Sequence, residues 1–218
     1  IEGSEINLSF DKSDIDEAKP NAEGVLVGTL KLSSVSDYTI DALEVTVTAT
    51  SGTEVEDVVQ TIELDGSSSD SDTTSTASNV AKYTFEDIAL TAGEERELDL
   101  TFDIVDNTAL NGKSLTFAVK VAKVTDEEND ETYDNSTELA TVLSTNSFDD
   151  KTIDVETARL SLTQTKVSER TLVLGNGVEV VLYKGKLSAG DSDDVTLKDL
   201  TLTGSIKTST GVAITAYD

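Results

Sequence analysis

Glu23-Gly24-Val25-Leu26-Val27-Gly28-Thr29-Leu30-Lys31-Leu32-Ser33-Ser34, followed by Tyr38-Thr39-Ile40-Asp41-Ala42-Leu43-Glu44-Val45-Thr46-Val47-Thr48, is a pattern the chain contains twice. The second copy is Val180-Val181-Leu182-Tyr183-Lys184-Gly185-Lys186-Leu187-Ser188 with Val195-Thr196-Leu197-Lys198-Asp199-Leu200-Thr201-Leu202-Thr203. Each copy reads as two strands around a polar loop, and the second loop is two residues longer. The upstream segments match too, Ile6-Asn7-Leu8-Ser9 against Leu160-Ser161-Leu162-Thr163. Repetition on this scale predicts a modular β protein, because each repeat buries its apolar face against a neighbouring unit.

A half-buried strand carries apolar residues with period two. Tyr38 and Ile40 keep that period, which then slips by one before Leu43, Val45 and Val47. Val195 and Leu197, then Leu200 and Leu202, repeat the slip. A slip turns later side chains to the opposite face unless the backbone absorbs it. A β-bulge or jog is therefore predicted at Asp41-Ala42 and at Lys198-Asp199, of the kind that lets a strand pass from one sheet to another. In the preceding strand Gly28 and Leu30 correspond to Tyr183 and Gly185, as though one packing volume were filled from neighbouring rungs.

Across 218 residues, 43 acidic side chains stand against 16 basic ones, a formal charge of −27 with pI near 4.1. That balance argues against nucleic acid and anionic membrane surfaces as partners, since both need clustered Lys and Arg. Cations are the natural counterparts of such a surface. With no Cys there is no disulfide or thiolate metal site. With no His the commonest general base and transition-metal ligand is missing. No apolar run approaches the roughly 20 residues of a membrane span. The chain begins at Ile1 rather than Met and so reads as processed or cut; any export signal would stand upstream of it.

Nearly every other segment reads as strand, with candidates at 55–64, 80–90, 97–105, 114–124 and 138–143. Ala92-Gly93-Glu94-Glu95 reads as a turn, Asn111-Gly112 as a hairpin, and no segment has a helical period. The Ser/Asp-rich run Gly66-Ser67-Ser68-Ser69-Asp70-Ser71-Asp72 reads as a solvated loop. Asn146-Ser147-Phe148-Asp149-Asp150 is the expected junction, placing a first module at 1–148 and a shorter second one, beginning in earnest at Ile153, at 149–218. The fold class expected is all-β, two immunoglobulin-like β-sandwiches in tandem with the second short or incomplete.

Gly24 to Thr48, together with Tyr83-Thr84-Phe85-Glu86-Asp87-Ile88-Ala89-Leu90-Thr91-Ala92-Gly93-Glu94-Glu95-Arg96-Glu97-Leu98, resembles the Ig-like repeat modules of bacterial cell-surface proteins. In those modules an aromatic-containing strand, an Ala-Gly-acid turn and a long alternating strand follow one another. The resemblance implies a surface-layer subunit, a filament subunit or an adhesin stalk, and it brings no catalytic residues.

Acidic clusters are the candidates for a site. Asp126, Glu128, Asp130 and Asp134 form the densest, and Asp191, Asp193 and Asp194 lie in the repeated loop. Ca²⁺ takes six to eight oxygens, which carboxylate-rich loops provide. Asp103 with Asp106, and Asp11 with Asp14 and Asp16, are lesser candidates; none has EF-hand spacing. The plain alternative for 126–135 is a solvated acidic hairpin tip. Paired carboxylates also serve glycoside hydrolysis, but the five Tyr and five Phe fall mostly in strands and leave little sugar platform, so the chain is expected not to be an enzyme. Asn7-Leu8-Ser9 and Asn135-Ser136-Thr137 are glycan acceptors if the chain is exported along a suitable route.

A sandwich with half its strands exposes apolar edges, which soluble proteins avoid. Either the chain has been cut, or another copy supplies the missing strand, through 1–10 or 211–217. Head-to-tail donation does not close and gives a filament or lattice. The expectation is therefore an extracellular, cell-surface structural protein, assembled with other copies through β-strand contacts and stabilised by Ca²⁺. The rival is an adhesin arm holding a carbohydrate or a host protein.

Overall fold

The computed structural model describes residues 5–69, 79–157, 160–164, 184–189, 196–201, 206–207 and 213–214. In chain order the strands are β1 (Ile6–Lys12), β2 (Glu17–Ala18), β3 (Val25–Ser34), β4 (Tyr38–Ala49), β5 (Val59–Leu64), β6 (Ser67–Ser68), β7 (Val80–Phe85) and β8 (Ile88–Leu90). They continue with β9 (Glu95–Ile104), β10 (Lys113–Asp126), β11 (Glu131–Tyr133), the helix α1 (Ser136–Val142), β12 (Lys151–Val155), β13 (Leu160–Gln164), β14 (Gly185–Ala189), β15 (Ile206–Lys207) and β16 (Ala213–Ile214). The chain is all-β in class.

Two sheets carry the core. One runs β1-β3-β9-β5-β6; the other runs β2-β12-β10-β4-β7, with β8 beside β4 and β11 beside β10. Alternation does the sorting: Val45, Val47, Leu98, Leu100, Phe117 and Val119 are buried while the residues between them face outward. The inner faces meet in one cluster, where the Phe102 and Phe117 rings stand 4.8 Å apart at a tilt of 48°. Tilted rings at that spacing set the positive edge of one against the negative face of the other.

The slip in β4 is a bulge, as predicted. Leu43 pairs with Val121, Ala42 with Lys123 and Ile40 with Val124, so Asp41 is the extra residue on β4 and Ala122 the extra one on β10. The two irregularities compensate, and Tyr38, Ile40, Leu43, Val45 and Val47 all stay buried on one side. On the other side of β4 the partner is split at the same place, β7 opposite 43–48 and β8 opposite 38–40. The bulge therefore preserves a face. The expected passage between sheets does not occur, because β4 pairs only within the seven-stranded sheet.

Four further expectations are corrected. Asn111-Gly112 joins β9 to β10, which lie in different sheets, so it is a crossover and not a hairpin. There Gly112, at φ +78°, donates its N–H to Val155, and Asn111 Oδ1 accepts from Thr157. Residues 55–58 form a turn that buries Val55 and Val58 before β5 starts at Val59. Residues 138–143 fall largely in helix α1, whose Asn135 cap accepts from the N–H groups of Thr137 and Glu138. Leu139, Val142 and Leu143, spaced three and four apart, are its buried stripe. Finally, the first unit runs past 148: Lys151–Val155 pairs antiparallel with β10 and parallel with β2, and Ile153 and Val155 are fully buried.

β10 is long because it is shared. One flank is β4 along 115–126; the other is tiled by β12 at 113–117, by 146–148 around Lys120, and by β11 at 124–126. The segment after α1 also caps the outer edge of β1. Ser144 donates its N–H to Ile6 and accepts from the Leu8 N–H at Oγ, each at 2.9 Å. The edge of β1 is masked in this way over Ile6–Leu8. Ile6–Lys12 pairs with its own β3 over seven residues.

β13 pairs with β14, and β15 with β16, each as a two-stranded sheet. Residues 196–201, including Lys198-Asp199, lie in neither helix nor strand, so the second bulge is not seen there. Asp191, Asp193, Asp194 and most of 211–217 fall outside the described residues.

Candidate functional site

The internal repeat holds at the level of hydrogen-bond register. In β1–β3, Ile6 faces Ser34, Leu8 faces Leu32, Ser9 faces Lys31 and Phe10 faces Leu30. In β13–β14, Leu160 faces Ala189, Leu162 faces Leu187, Thr163 faces Lys186 and Gln164 faces Gly185. Those are the same positions of the repeat, paired in the same frame. Residues directly opposed in an antiparallel ladder share a face. Leu160, Leu162, Leu187 and Ala189 thus form one apolar face, and Ser161, Thr163, Lys186 and Ser188 the other.

The two ladders differ in what covers them. Leu8 and Leu32 are 7% and 2% exposed; their counterparts Leu162 and Leu187 are 45% and 41% exposed. Leu43 is 1% exposed and its counterpart Leu200 is 50%. In the first copy β9 lies along the free side of β3, with Leu98 opposite Leu30 and Glu97 opposite Lys31. Lys31 there bridges Asp11 at 2.9 Å and Glu97 at 3.5 Å, and the hydrogen bond and charge of Asp11 raise its pKa. Among the described strands none takes that place beside β14. An amphipathic two-stranded ladder with an uncovered apolar face is marginal alone and suited to docking. The repeat alignment sets Lys186 on Lys31.

The acidic hairpin tip behaves differently from its sequence expectation. β10 and β11 pair Asp126 with Glu131, and 127–130 make the turn, with Asp130 at φ 51°. Asp126 is buried, and its carboxylate serves the turn. Oδ1 accepts the N–H groups of Glu128 at 2.9 Å and Asn129 at 3.2 Å, and Oδ2 accepts the Asn129 amide at 2.8 Å. These donors, the Asn129 side chain first, hold its pKa below the ordinary aspartate range. Glu128, Asp130 and Asp134 are exposed. Among the described residues no group of three or more carboxylates is placed to hold a metal ion, so Asp126, Glu128, Asp130 and Asp134 are not brought together as a ligand set. The reason is geometric: Asp126 turns its oxygens into the hairpin, and the turn carries the others outward. Of the two sequons, Asn135 is the cap of α1, and Asn7 lies exposed on the outer face of β1.

Near the same end, the buried Tyr38 hydroxyl donates to Glu5, and burial with that bond pushes its phenol well above the ordinary range. Burial also raises Tyr83, to about 12. An open groove of 320 Å³ crosses the outer face of the five-stranded sheet, lined by Asn7, Ser9, Lys31, Ser33, Glu95 and Glu97 among others. It is shallow, polar and without an aromatic floor.

No family model matches the chain, nor does any curated protein. Among solved structures, one described as "AvmM Catalyzes Macrocyclization in Alchivemycin A Biosynthesis" is similar at a TM-score of 0.40 and 8% identity, over 71% of this chain and 90% of that one. That neighbour is an enzyme, so the expectation of a non-enzymatic chain is withdrawn; a likeness this distant assigns no reaction to the residues described above.

Proposed function

We propose that this chain is an extracellular structural protein of the cell surface, a subunit of a layer or filament whose copies join through β-strand contacts. In this reading the region through Val155 is an immunoglobulin-like sandwich, and the chain beyond it repeats the start of that sandwich with an apolar face that is covered on contact with another copy. The observation that carries the reading is the β13–β14 ladder, built in the frame of β1–β3 but with Leu160, Leu162 and Leu187 exposed. Burying such leucines on association is favourable at about 25 cal/mol per Å² of apolar surface. The formal charge of −27 opposes the approach of copies, and a divalent cation such as Ca²⁺ screens it. Sedimentation velocity and negative-stain electron microscopy, with Ca²⁺ and then with chelator, test the proposal. Ordered threads, tubes or sheets are expected with Ca²⁺; a monodisperse monomer at all concentrations under both conditions overturns it.

A further inference from the structure

We infer that Asn111-Gly112 is a covalent modification site, a place of spontaneous deamidation that the end of β12 holds shut and that opens when residues 155–157 come away from the start of β10. The inference is independent of assembly and holds whether or not copies of the chain join.

The sequence supplies a reactive pair. In an Asn-Gly step the backbone nitrogen of the glycine attacks the asparagine side-chain amide carbon, and the glycine has no side chain to hinder the approach. The bond from Gly112 N to Asn111 Cγ forms and the Cγ–Nδ2 bond breaks. The Gly112 N–H proton leaves with Nδ2 as ammonia. Water then opens the cyclic imide at either carbonyl, giving aspartate at 111 or isoaspartate, whose main chain runs through the former side chain. Water is the only co-reactant, and Asn111 and Gly112 are both exposed to it.

The fold engages both reactants. The Gly112 N–H, which carries the proton that must be lost, donates to the Val155 carbonyl at 2.8 Å. Asn111 Oδ1 accepts from the Thr157 N–H at 2.7 Å and from Thr157 Oγ1 at 2.9 Å. All three partner atoms belong to Val155 and Thr157, so one local detachment frees nucleophile and amide together. Two donors on Oδ1 also polarise the amide carbon, but attack needs the Gly112 N–H released, so the bond to Val155 decides the rate. The consequence is one-way. Isoaspartate adds a methylene to the main chain just before β10, so Gly112 no longer meets Val155 in the frame that pairs Val155 with Lys113. A chain modified there holds the end of β12 less firmly.

The test incubates the full chain and a synthetic peptide of residues 108–116 in the same mildly alkaline buffer. Position 111 is followed by peptide mapping with mass spectrometry and by an isoaspartate assay. The folded chain reacts only while 155–157 is detached, so it should deamidate at least about tenfold more slowly than the peptide. Thr157→Pro, which removes both donors to Asn111, should raise the rate about threefold or more, and Thr157→Val, which keeps the backbone N–H, should raise it less. A folded chain that reacts as fast as the peptide overturns the inference. So does a Thr157→Pro chain, folded by circular dichroism, that reacts at the wild-type rate. Should that variant fail to fold, wild type in graded urea takes its place. A rate that climbs well before the global transition supports local detachment, and one that climbs only with global unfolding overturns it.

Discussion

The side-chain amide of Asn129 donates to Asp126 Oδ2 at 2.8 Å, closing the β10–β11 hairpin with a carboxylate whose sequence neighbours advertise a cation. Because the donors favour the charged form, the folded-state pKa of Asp126 lies below its unfolded value. Its contribution to stability is therefore present above the unfolded pKa and is lost as pH falls through the folded one. Asn129→Ala and Asp126→Ala are each expected to cost about 1–2 kcal/mol at neutral pH. In urea unfolding series, the gap between wild type and Asp126→Ala should narrow on acidification; a gap that stays constant down to strongly acid pH contradicts the assignment.

Leu8→Ala and Leu162→Ala are the same change at equivalent places in the repeat. The buried site should cost about 2–5 kcal/mol. At the exposed site the cost should be within about 0.5 kcal/mol, with self-association impaired instead. Chemical denaturation of both variants at low concentration, with sedimentation at high concentration, reads the contrast directly.

Gly28 sits under the Phe10 ring. A Cβ there would come within 2.6 Å of the Asp11 carbonyl oxygen and of Phe10 Cζ, so Gly28→Ala forces backbone as well as ring to move. Overpacking of this kind should cost about 1–3 kcal/mol. Adding Phe10→Leu should recover part of the loss, because the ring is one of the two obstacles, and thermal unfolding of the single and double variants measures how much.

Tyr38 and Tyr83 keep their protons to high pH. Their folded-state pKa values are raised, Tyr83 to about 12, so their contribution is complete below the unfolded value of about 10 and lost as pH rises through the folded values. An ultraviolet tyrosinate titration should show a late, cooperative step coincident with unfolding, reduced in Tyr38→Phe and in Tyr83→Phe. Smooth ionisation of all tyrosines near the ordinary value would contradict both environments.

Asn135 accepts from Thr137 and Glu138 at the start of α1. Asn135→Ala should cost about 1 kcal/mol, while Asn135→Asp, an equally good cap, should be nearly neutral. The aspartate also abolishes the sequon, so comparing the two variants by thermal unfolding and by mass separates the capping role from glycan attachment.

Much of the scaffold could be read from residues alone. The alternation in 97–105 and 114–124 gave β9 and β10, and the slip at Asp41-Ala42 gave the bulge, because a period-two pattern is a local consequence of strand geometry. Helix α1 was missed although Asn135, Glu138, Leu139, Val142 and Leu143 spell a cap and a stripe; seven residues among β-rich neighbours leave too short a period to stand out. The turn at Asp65-Gly66, with φ of 49° and 77°, pairs Leu64 with Ser67 as a two-residue hairpin. Its Asp-Gly signature was hidden in a Ser-rich run read as loop. Of the site, the repeat was legible and its exposed face was an expectation, but the role of Asp126 was not, since donors three residues away on a turn are invisible until the turn has a shape.

By itself the sequence determined which side chains of each strand share a face, where β4 must bulge, and that Leu160 and Leu162 are a second edition of Ile6 and Leu8. Only the tertiary structure decided that β9 and β10 part into different sheets, that Lys151–Val155 pairs between β10 and β2, and that Leu8 is covered while Leu162 is exposed. The division follows from range. Side-chain alternation is set within a few residues by backbone geometry, whereas sheet membership and burial depend on which distant strands close around a core.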